Sequence, residues 1–168
     1  SVQEMKRQAI EAVPTERFAW VPEREEWFWC DDTGIWHQHG DENLRQWLDG
    51  YFGPHYRTHL FNEVRDQLKA RTRTKEQQFG GGPDGWIATE SGLVNLETGT
   101  VRPIQPSDKV RWTLGTQYDP NADCPQWKQF VGDVAEPSDI QMLQEFVGYC
   151  LHHWELPYKK ALIIFGPT

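Results

Sequence analysis

The chain has 168 residues, a length that suits one compact domain or one domain with a short extension and leaves too little for two full domains. Its 17 basic and 25 acidic side chains give a net charge of -8, which excludes a basic surface over the whole protein but leaves room for a local basic patch. Apolar residues make up 38% of the chain in short runs, which is enough for a core and argues against a membrane span.

An amphipathic helix and a β-hairpin are predicted in the N-terminal part of the chain. Apolar residues at helical spacing run up to Pro14, which ends the helix. Two aromatic-rich runs, 26–30 and 35–39, flank four turn-forming residues and predict the hairpin. Strand alternation assigns two side chains to each face of the first run. These are Trp27 with Trp29 on one face and Phe28 with Cys30 on the other.

Two helices that pack as a pair are predicted next. Asp41 is placed to cap the first helix, whose apolar side chains recur every three or four residues up to Phe52. A Gly-Pro pair ends this helix, and the second carries an apolar stripe from Tyr56 to Leu68. A short connection of this kind places consecutive helices side by side.

The glycine-rich segment 79–85 predicts a linker or turn and marks the best internal boundary. It is not a phosphate loop, because neither Gly-Lys-Ser/Thr nor a helical pattern follows it. Three short strands within 86–104 then predict an antiparallel meander, with Pro103 indicating an edge. A further possible strand spans 110–114.

The last third is predicted to form a helix pair followed by a strand. Pro125 suits the first turn of one helix, and Ser138 with Gln141 has the pattern of a capping box for the next. The apolar run 161–165 predicts a strand that is buried in a parallel sheet. Because a strand followed by Gly-x-x is how a phosphate loop opens, we expect the natural chain to continue beyond 166–168.

These elements predict an α+β fold. It begins with the helix and hairpin, continues with the helical pair and the small antiparallel meander, and ends with a helix pair that leads into the first strand of a truncated α/β ATPase module. The predicted divisions are 1–78 for the helical and hairpin part, 79–156 for the meander and helix pair, and 157–168 for the start of the next module.

Nine tryptophans and three cysteines are the unusual features of the composition. Tryptophan at this density is typical of large rings in a core, and it is also used in sugar-binding faces and base-stacking platforms. The pattern favours core rings, because alternate positions on the short strands must face inward. The cysteines lie far apart without a Cys-x-x-Cys motif, and no signal peptide precedes them, which favours an intracellular protein with reduced thiols.

Four segments occur in a distinctive order: 92–101 (GLVNLETGTV), 118–127 (YDPNADCPQW), 143–151 (LQEFVGYCL) and the strand that runs into 166–168. In this order and spacing they resemble the phage/plasmid primase family, in the region between an N-terminal primase and a superfamily 3 helicase. The poxvirus primase-helicase carries a similar region. The resemblance covers most of the chain and is strongest from residue 86 onward.

The resemblance implies a non-catalytic pre-helicase module of a replication protein in the host-cell cytoplasm. Such a module supports assembly of a hexameric ring and positions single-stranded DNA for an ATP-driven helicase. ATP and Mg²⁺ are expected in the parent helicase, and no cofactor, catalytic residue or membrane contact is expected for this chain alone. Because the chain has no Asp-x-Asp pair, we expect that by itself it makes no primers. Whether the parent carries an active primase stays open. The residues that resemble the start of the phosphate loop are Gly166, Pro167 and Thr168.

Cations near the end of the second predicted helix are the first candidates for DNA contacts. Phosphate contacts release counterions and give salt-dependent binding, although cations at a helix C-terminus also complement the helix dipole. An arginine beside a tryptophan combines charge with stacking. The candidates are Arg65, Lys69, Arg71, Arg73, Lys75, Arg111, Trp112, Lys159 and Lys160.

Two other classes of function stay open. A carbohydrate-binding module would account for the tryptophans and the acidic balance, although such proteins are commonly secreted. A small acidic hydrolase needs two carboxylates at a defined separation, which the sequence does not place. His55 and His59 stand four residues apart on a helix but lack a recognisable third ligand, so we predict no metal site.

Overall fold

The computed structural model of the chain describes residues 2–153 and 160–165 and confirms the predicted α+β class. Within these residues, five α-helices accompany two three-stranded antiparallel sheets. No helix of this part of the chain is long and apolar enough to cross a membrane. The helices are α1 Val2–Ala12, α2 Gly40–Phe52, α3 Thr58–Arg71, α4 Pro125–Val134 and α5 Pro137–Cys150. The strands are β1 Phe18–Val21, β2 Glu26–Cys30, β3 Trp36–His37, β4 Trp86–Thr89, β5 Gly92–Asn95 and β6 Val101–Arg102.

The first sheet has the order β1-β2-β3 and contains the predicted hairpin as β2 and β3. The second strand of the hairpin is shorter than predicted, and β1 was not predicted at all. The assignment of side chains to the two faces of β2 is confirmed. Trp27 packs into the helical core, whereas Phe28 and Cys30 join a second cluster with Trp36 and Phe79. Both faces of the central strand are therefore buried.

The predicted pair of helices, α2 and α3, shares one core with α1 and one face of the first sheet. The apolar spacing read from the sequence corresponds to the buried positions, because these side chains form single stripes. The core consists of Ala9, Ile10, Val13, Phe18, Trp27, Leu44, Leu48, Phe52, Leu60, Phe61, Val64 and Leu68.

The start of α2 is held against β2. The helix begins at Gly40 after His39, and Asp41, predicted as its cap, lies inside the first turn. The backbone N–H and ring Nδ1 of His39 lie 3.0 and 2.8 Å from Glu26 Oε1. A Cβ on Gly40 would lie 2.8 Å from the carbonyl carbon of Phe28. Only glycine therefore fits this approach of helix to strand.

The predicted meander is confirmed as the second sheet, with the order β4-β5-β6. The possible strand at 110–114 does not join it as a strand. Instead, Val110 and Leu114 form isolated parallel bridges to Gly80 and Thr89, which lie on different segments. The segment is thus divided between two neighbours.

Residues that flank the strands of the second sheet contact the first sheet. The ring of Phe79 lies 4.9 Å from that of Phe28 and 5.3 Å from that of Trp36, measured between centroids. Trp36 also donates its backbone N–H to Val110 O at 2.7 Å and its indole N–H to Pro106 O at 2.8 Å. The boundary between 78 and 79 stays a prediction, and the chain on its two sides is in close contact.

The C-terminal helix pair is confirmed, but two details of its prediction are wrong. The predicted Ser138–Gln141 capping box is not formed, because α5 starts at Pro137 and Gln141 bonds to Glu145. Residues 161–165 do not form a strand, and no strand among the described residues pairs with them. An apolar strand needs such partners to satisfy its backbone groups.

A matched pair of glycines in α2 tests the approach of this helix to β2. Gly40→Ala should lower the free energy of unfolding by about 1–3 kcal/mol, because its Cβ overpacks against backbone. Gly50→Ala should raise it by about 0.5–1 kcal/mol, because Gly50 has no atom near its Cβ position and alanine favours the helix. Urea unfolding of both variants measures the difference. Equal effects of the two substitutions would contradict the close approach.

Candidate nucleic-acid interface

The tryptophan rings are mostly part of the core. Of the described rings, two are buried, four are half-buried and two are exposed. The half-buried rings pack at the edges of the apolar clusters. In that order they are Trp27 and Trp36, then Trp20, Trp29, Trp47 and Trp86, then Trp112 and Trp127.

Arg65 and Lys69 on α3 are occupied by contacts within the chain. Arg65 ion-pairs with Asp41 at 3.4 Å and Asp66 at 3.7 Å, and its guanidinium lies over the ring of Phe61. Lys69 pairs with Asp66 at 3.2 Å and lies over a tryptophan ring at 4.4 Å. Of the predicted DNA contacts, these two cations are therefore the least available.

Arg71, Arg73 and Lys75 form an exposed row that we call the basic strip. Thr72, between Arg71 and Arg73, is buried. Helix α3 ends here and is followed by extended chain that runs alongside β1. Within the part of the chain that the structure describes, no carboxylate lies within 4.0 Å of the three cations. Arg71 ends α3, and alternation along the extended chain that follows puts Arg73 and Lys75 on the outer side.

Two backbone hydrogen bonds fix the basic strip to Trp20. The N–H of Trp20 donates to Thr72 O at 3.0 Å, and the N–H of Thr74 donates to Trp20 O at 2.9 Å. The ring of Trp20 is half-buried and lies 5.6 Å from that of Trp27. The sequence reasoning missed Trp20, although the apolar run of β1 was a signal for a strand.

Arg111 and Trp112 have different neighbours. The Arg111 guanidinium lies 4.8 Å from the centroid of Phe28, whereas the ring of Trp112 lies 5.4 Å from that of His153. Lys109, which the sequence reasoning also missed, lies 3.9 Å from the centroid of Trp36. Burial lowers the pKa of Lys109. Arg111 and Lys109 thus cover the aromatic cluster between the sheets.

The remaining candidates lie near the end of the chain. Lys160 is exposed. Lys159 and the residues that resemble the start of a phosphate loop, Gly166, Pro167 and Thr168, lie outside the described residues.

A cleft of about 690 Å³ lies between the hairpin turn and the second sheet, and carboxylates dominate its charge. Arg17 pairs with Asp32 at 2.7 Å, and His37 Nε2 lies 2.7 Å from Asp31 Oδ2. Among the described residues, no three His, Cys, Asp or Glu side chains are arranged to hold a metal ion. The balance of charge disfavours phosphate in this cleft.

Asp31 organises the hairpin turn as a hydrogen-bond acceptor. Its Oδ1 accepts from the backbone N–H of Thr33 at 2.8 Å and of Ile35 at 3.1 Å. Burial alone would raise the pKa of Asp31, but the hydrogen bonds from Thr33, His37 and the backbone outweigh it and lower the pKa to about 2. The ionised carboxylate thus stabilises the turn.

The depressed pKa of Asp31 makes stability depend on pH. Its contribution of about 2 kcal/mol is complete above the unfolded pKa of about 4 and is lost as the pH falls toward about 2. Asp31→Asn should remove this contribution and flatten the pH dependence of the unfolding free energy in that window. The control is Asp32→Asn, because Asp32 is almost fully exposed. An unchanged pH profile in Asp31→Asn would contradict the role of this carboxylate.

The comparisons with known proteins agree with the resemblance read from the sequence motifs. A family model described as "D5 N terminal like" matches residues 7–136, about three quarters of the chain. The match includes both sheets, α1 from residue 7, α2, α3 and all of α4. No curated protein matches the chain. The chain belongs to the family of N-terminal domains found in D5-like phage and viral primase-helicase proteins.

Proposed function

We propose that this pre-helicase domain is a non-catalytic module that positions single-stranded DNA for a superfamily 3 helicase and supports assembly of the helicase ring. The use of ATP and Mg²⁺ belongs, in this proposal, to the helicase module of the parent protein. The single observation that carries the DNA part is the basic strip of Arg71, Arg73 and Lys75.

The basic strip is suited to a phosphate backbone because its charges are exposed and not neutralised nearby. Most described cations elsewhere on the surface are held by carboxylates, as in the pairs Arg17–Asp32 and Arg102–Asp108. A cation already paired has little net charge to offer DNA and gains little by exchanging partners. The net charge of -8 repels DNA from the rest of the surface and confines contacts to the strip.

The anchoring of the strip favours positioning of a strand over loose attraction. Its backbone is held by the two hydrogen bonds to Trp20, and β1 is itself part of the first sheet. Cations fixed on a rigid element lose less conformational entropy on binding than cations on a free loop.

Ring assembly is the second part of the proposal, and its support is the family of the chain. A domain of the D5-like primase-helicase family belongs to proteins in which a helicase accompanies it. A rigid module beside the helicase would set the spacing between neighbouring subunits. We assign no residue of the described chain to that subunit contact.

Neutralising the basic strip should weaken DNA binding. In the triple variant Arg71→Gln, Arg73→Gln and Lys75→Gln, affinity for fluorescein-labelled oligothymidine should fall at low salt. The slope of log K against log salt should fall by about 2, since each phosphate contact contributes about 0.7 on single strands. Fluorescence anisotropy over a salt series measures both quantities.

The matched control carries the same change in net charge at cations outside the strip: Arg17→Gln, Arg57→Gln and Lys128→Gln. This control should keep the wild-type salt slope. The proposal for the strip fails if the wild-type chain does not bind oligothymidine at low salt, or if both triple variants lose affinity equally.

A further inference from the structure

The hairpin of α4 and α5 leaves a large apolar surface uncovered. Val131 is the buried apolar side chain of these helices within the described residues. Monomeric proteins rarely leave large contiguous apolar patches without an interaction partner. Five large side chains are half exposed or more: Trp127 (52%), Phe130 (56%), Val134 (65%), Met142 (50%) and Val147 (55%).

This surface is concave rather than flat. Two adjoining hollows of about 290 and 750 Å³ share Trp127, Val131 and Leu143 in their walls. The apolar residues 162–165 form part of the wall of the larger hollow. We call the two hollows together the α4–α5 groove. A groove between two helices is the shape that receives the apolar face of an amphipathic helix.

Among the described residues, carboxylates outnumber cations in the lining of the α4–α5 groove. Asp133, Glu136 and Asp139 line the larger hollow, and among residues 2–153 and 160–165 no Lys or Arg side chain belongs to its lining. Among the described residues, no cation lies within 4.0 Å of these three carboxylates. Lys128, at the smaller hollow, is paired with Asp123. A ligand that fills the groove thus meets negative charge at its rim.

The charge selects among possible occupants. The same face of a second copy would bring three carboxylates against three carboxylates, and like charges at an interface disfavour association. We propose that the α4–α5 groove docks an amphipathic helical segment of a partner protein that carries Lys or Arg beside apolar anchor residues. The apolar anchors fill the hollows, and the cations pair with Asp133, Glu136 and Asp139. This proposal uses none of the residues of the basic strip and is independent of DNA binding.

Designed peptides are suitable probes for this groove. The first is a labelled Leu/Lys peptide of about 18 residues, five helical turns long, with its leucines on one face. The second has Glu in place of Lys. The third has the composition of the first in a scrambled order that forms no apolar face. Fluorescence anisotropy with the 168-residue chain should show binding of the first peptide and at least about tenfold weaker binding of the other two.

Substitutions assign that binding to the groove. A triple variant should bind the first peptide about tenfold more weakly, which corresponds to the loss of three exposed ion pairs. Its substitutions are Asp133→Asn, Glu136→Gln and Asp139→Asn. The matched control neutralises three exposed carboxylates elsewhere, Asp49→Asn, Glu90→Gln and Glu97→Gln, and should change affinity less than twofold. Far-ultraviolet circular dichroism verifies that both triple variants are folded.

Three outcomes would overturn the proposal. The first is no binding of the Leu/Lys peptide at millimolar concentration. The second is an equal loss of affinity for the Leu/Lys peptide in the groove triple variant and in the control triple variant. That result would mean that binding depends only on the overall charge of the protein. The third is self-association of the wild-type chain in sedimentation velocity that Phe130→Ser abolishes, which would assign the groove to a second copy.

Discussion

Strand β2 is the element on which the rest of the structure depends, because both of its faces are buried in different clusters. Trp27 is part of the core that α1, α2 and α3 build, and Phe28 is part of the cluster with Trp36 and Phe79. A five-residue strand thereby connects the helical layer to the chain that leads into the second sheet. Gly40 approaches Phe28 closely, and His39 donates its backbone N–H to Glu26, so the start of α2 is held against the same strand.

Two cations pack over the aromatic cluster that contains Phe28. Lys109 and Arg111 stand two residues apart and lie over the rings of Trp36 and Phe28, while Val110 between them is buried in the second sheet's cluster. Cation–π contacts of this kind stabilise by about 0.5–2 kcal/mol each. The aromatic residues thus hold parts of the fold together. Among the described residues, three neighbouring cations without a carboxylate partner form the basic strip, and three carboxylates without a cation partner line the α4–α5 groove.

Local sequence patterns predicted most elements of this fold. Alternation assigned the faces of β2 correctly, and apolar spacing located α2, α3, α4 and α5. Strand β1 was missed because its four apolar residues show no alternation with polar ones. The run 161–165 was assigned to a strand on composition alone, yet a strand forms only with partners, and none among the described residues pairs with it.

The candidate interface was predicted less well, because charge availability depends on long-range contacts. Arg65 and Arg71 look alike in the sequence, but Asp41 from another helix neutralises the first. The attachment of the basic strip to Trp20 joins residues about fifty positions apart, beyond any local pattern. The helical stripes of α4 and α5 were visible in the sequence, whereas their exposure depends on what packs against them.

We expect the aromatic cluster around Phe28 to make the two sheets one cooperative unit. Native-state hydrogen exchange of the wild-type chain and Phe79→Ala tests it most directly. Phe79 packs on Phe28 and Trp36 of the first sheet, and the next residue, Gly80, is bridged to Val110 in the cluster of the second sheet. The account predicts that the opening free energies of the slowest amides in β2 and in β4–β5 fall by similar amounts in the variant. A loss confined to β2, with β4 and β5 protected as in the wild type, would contradict it.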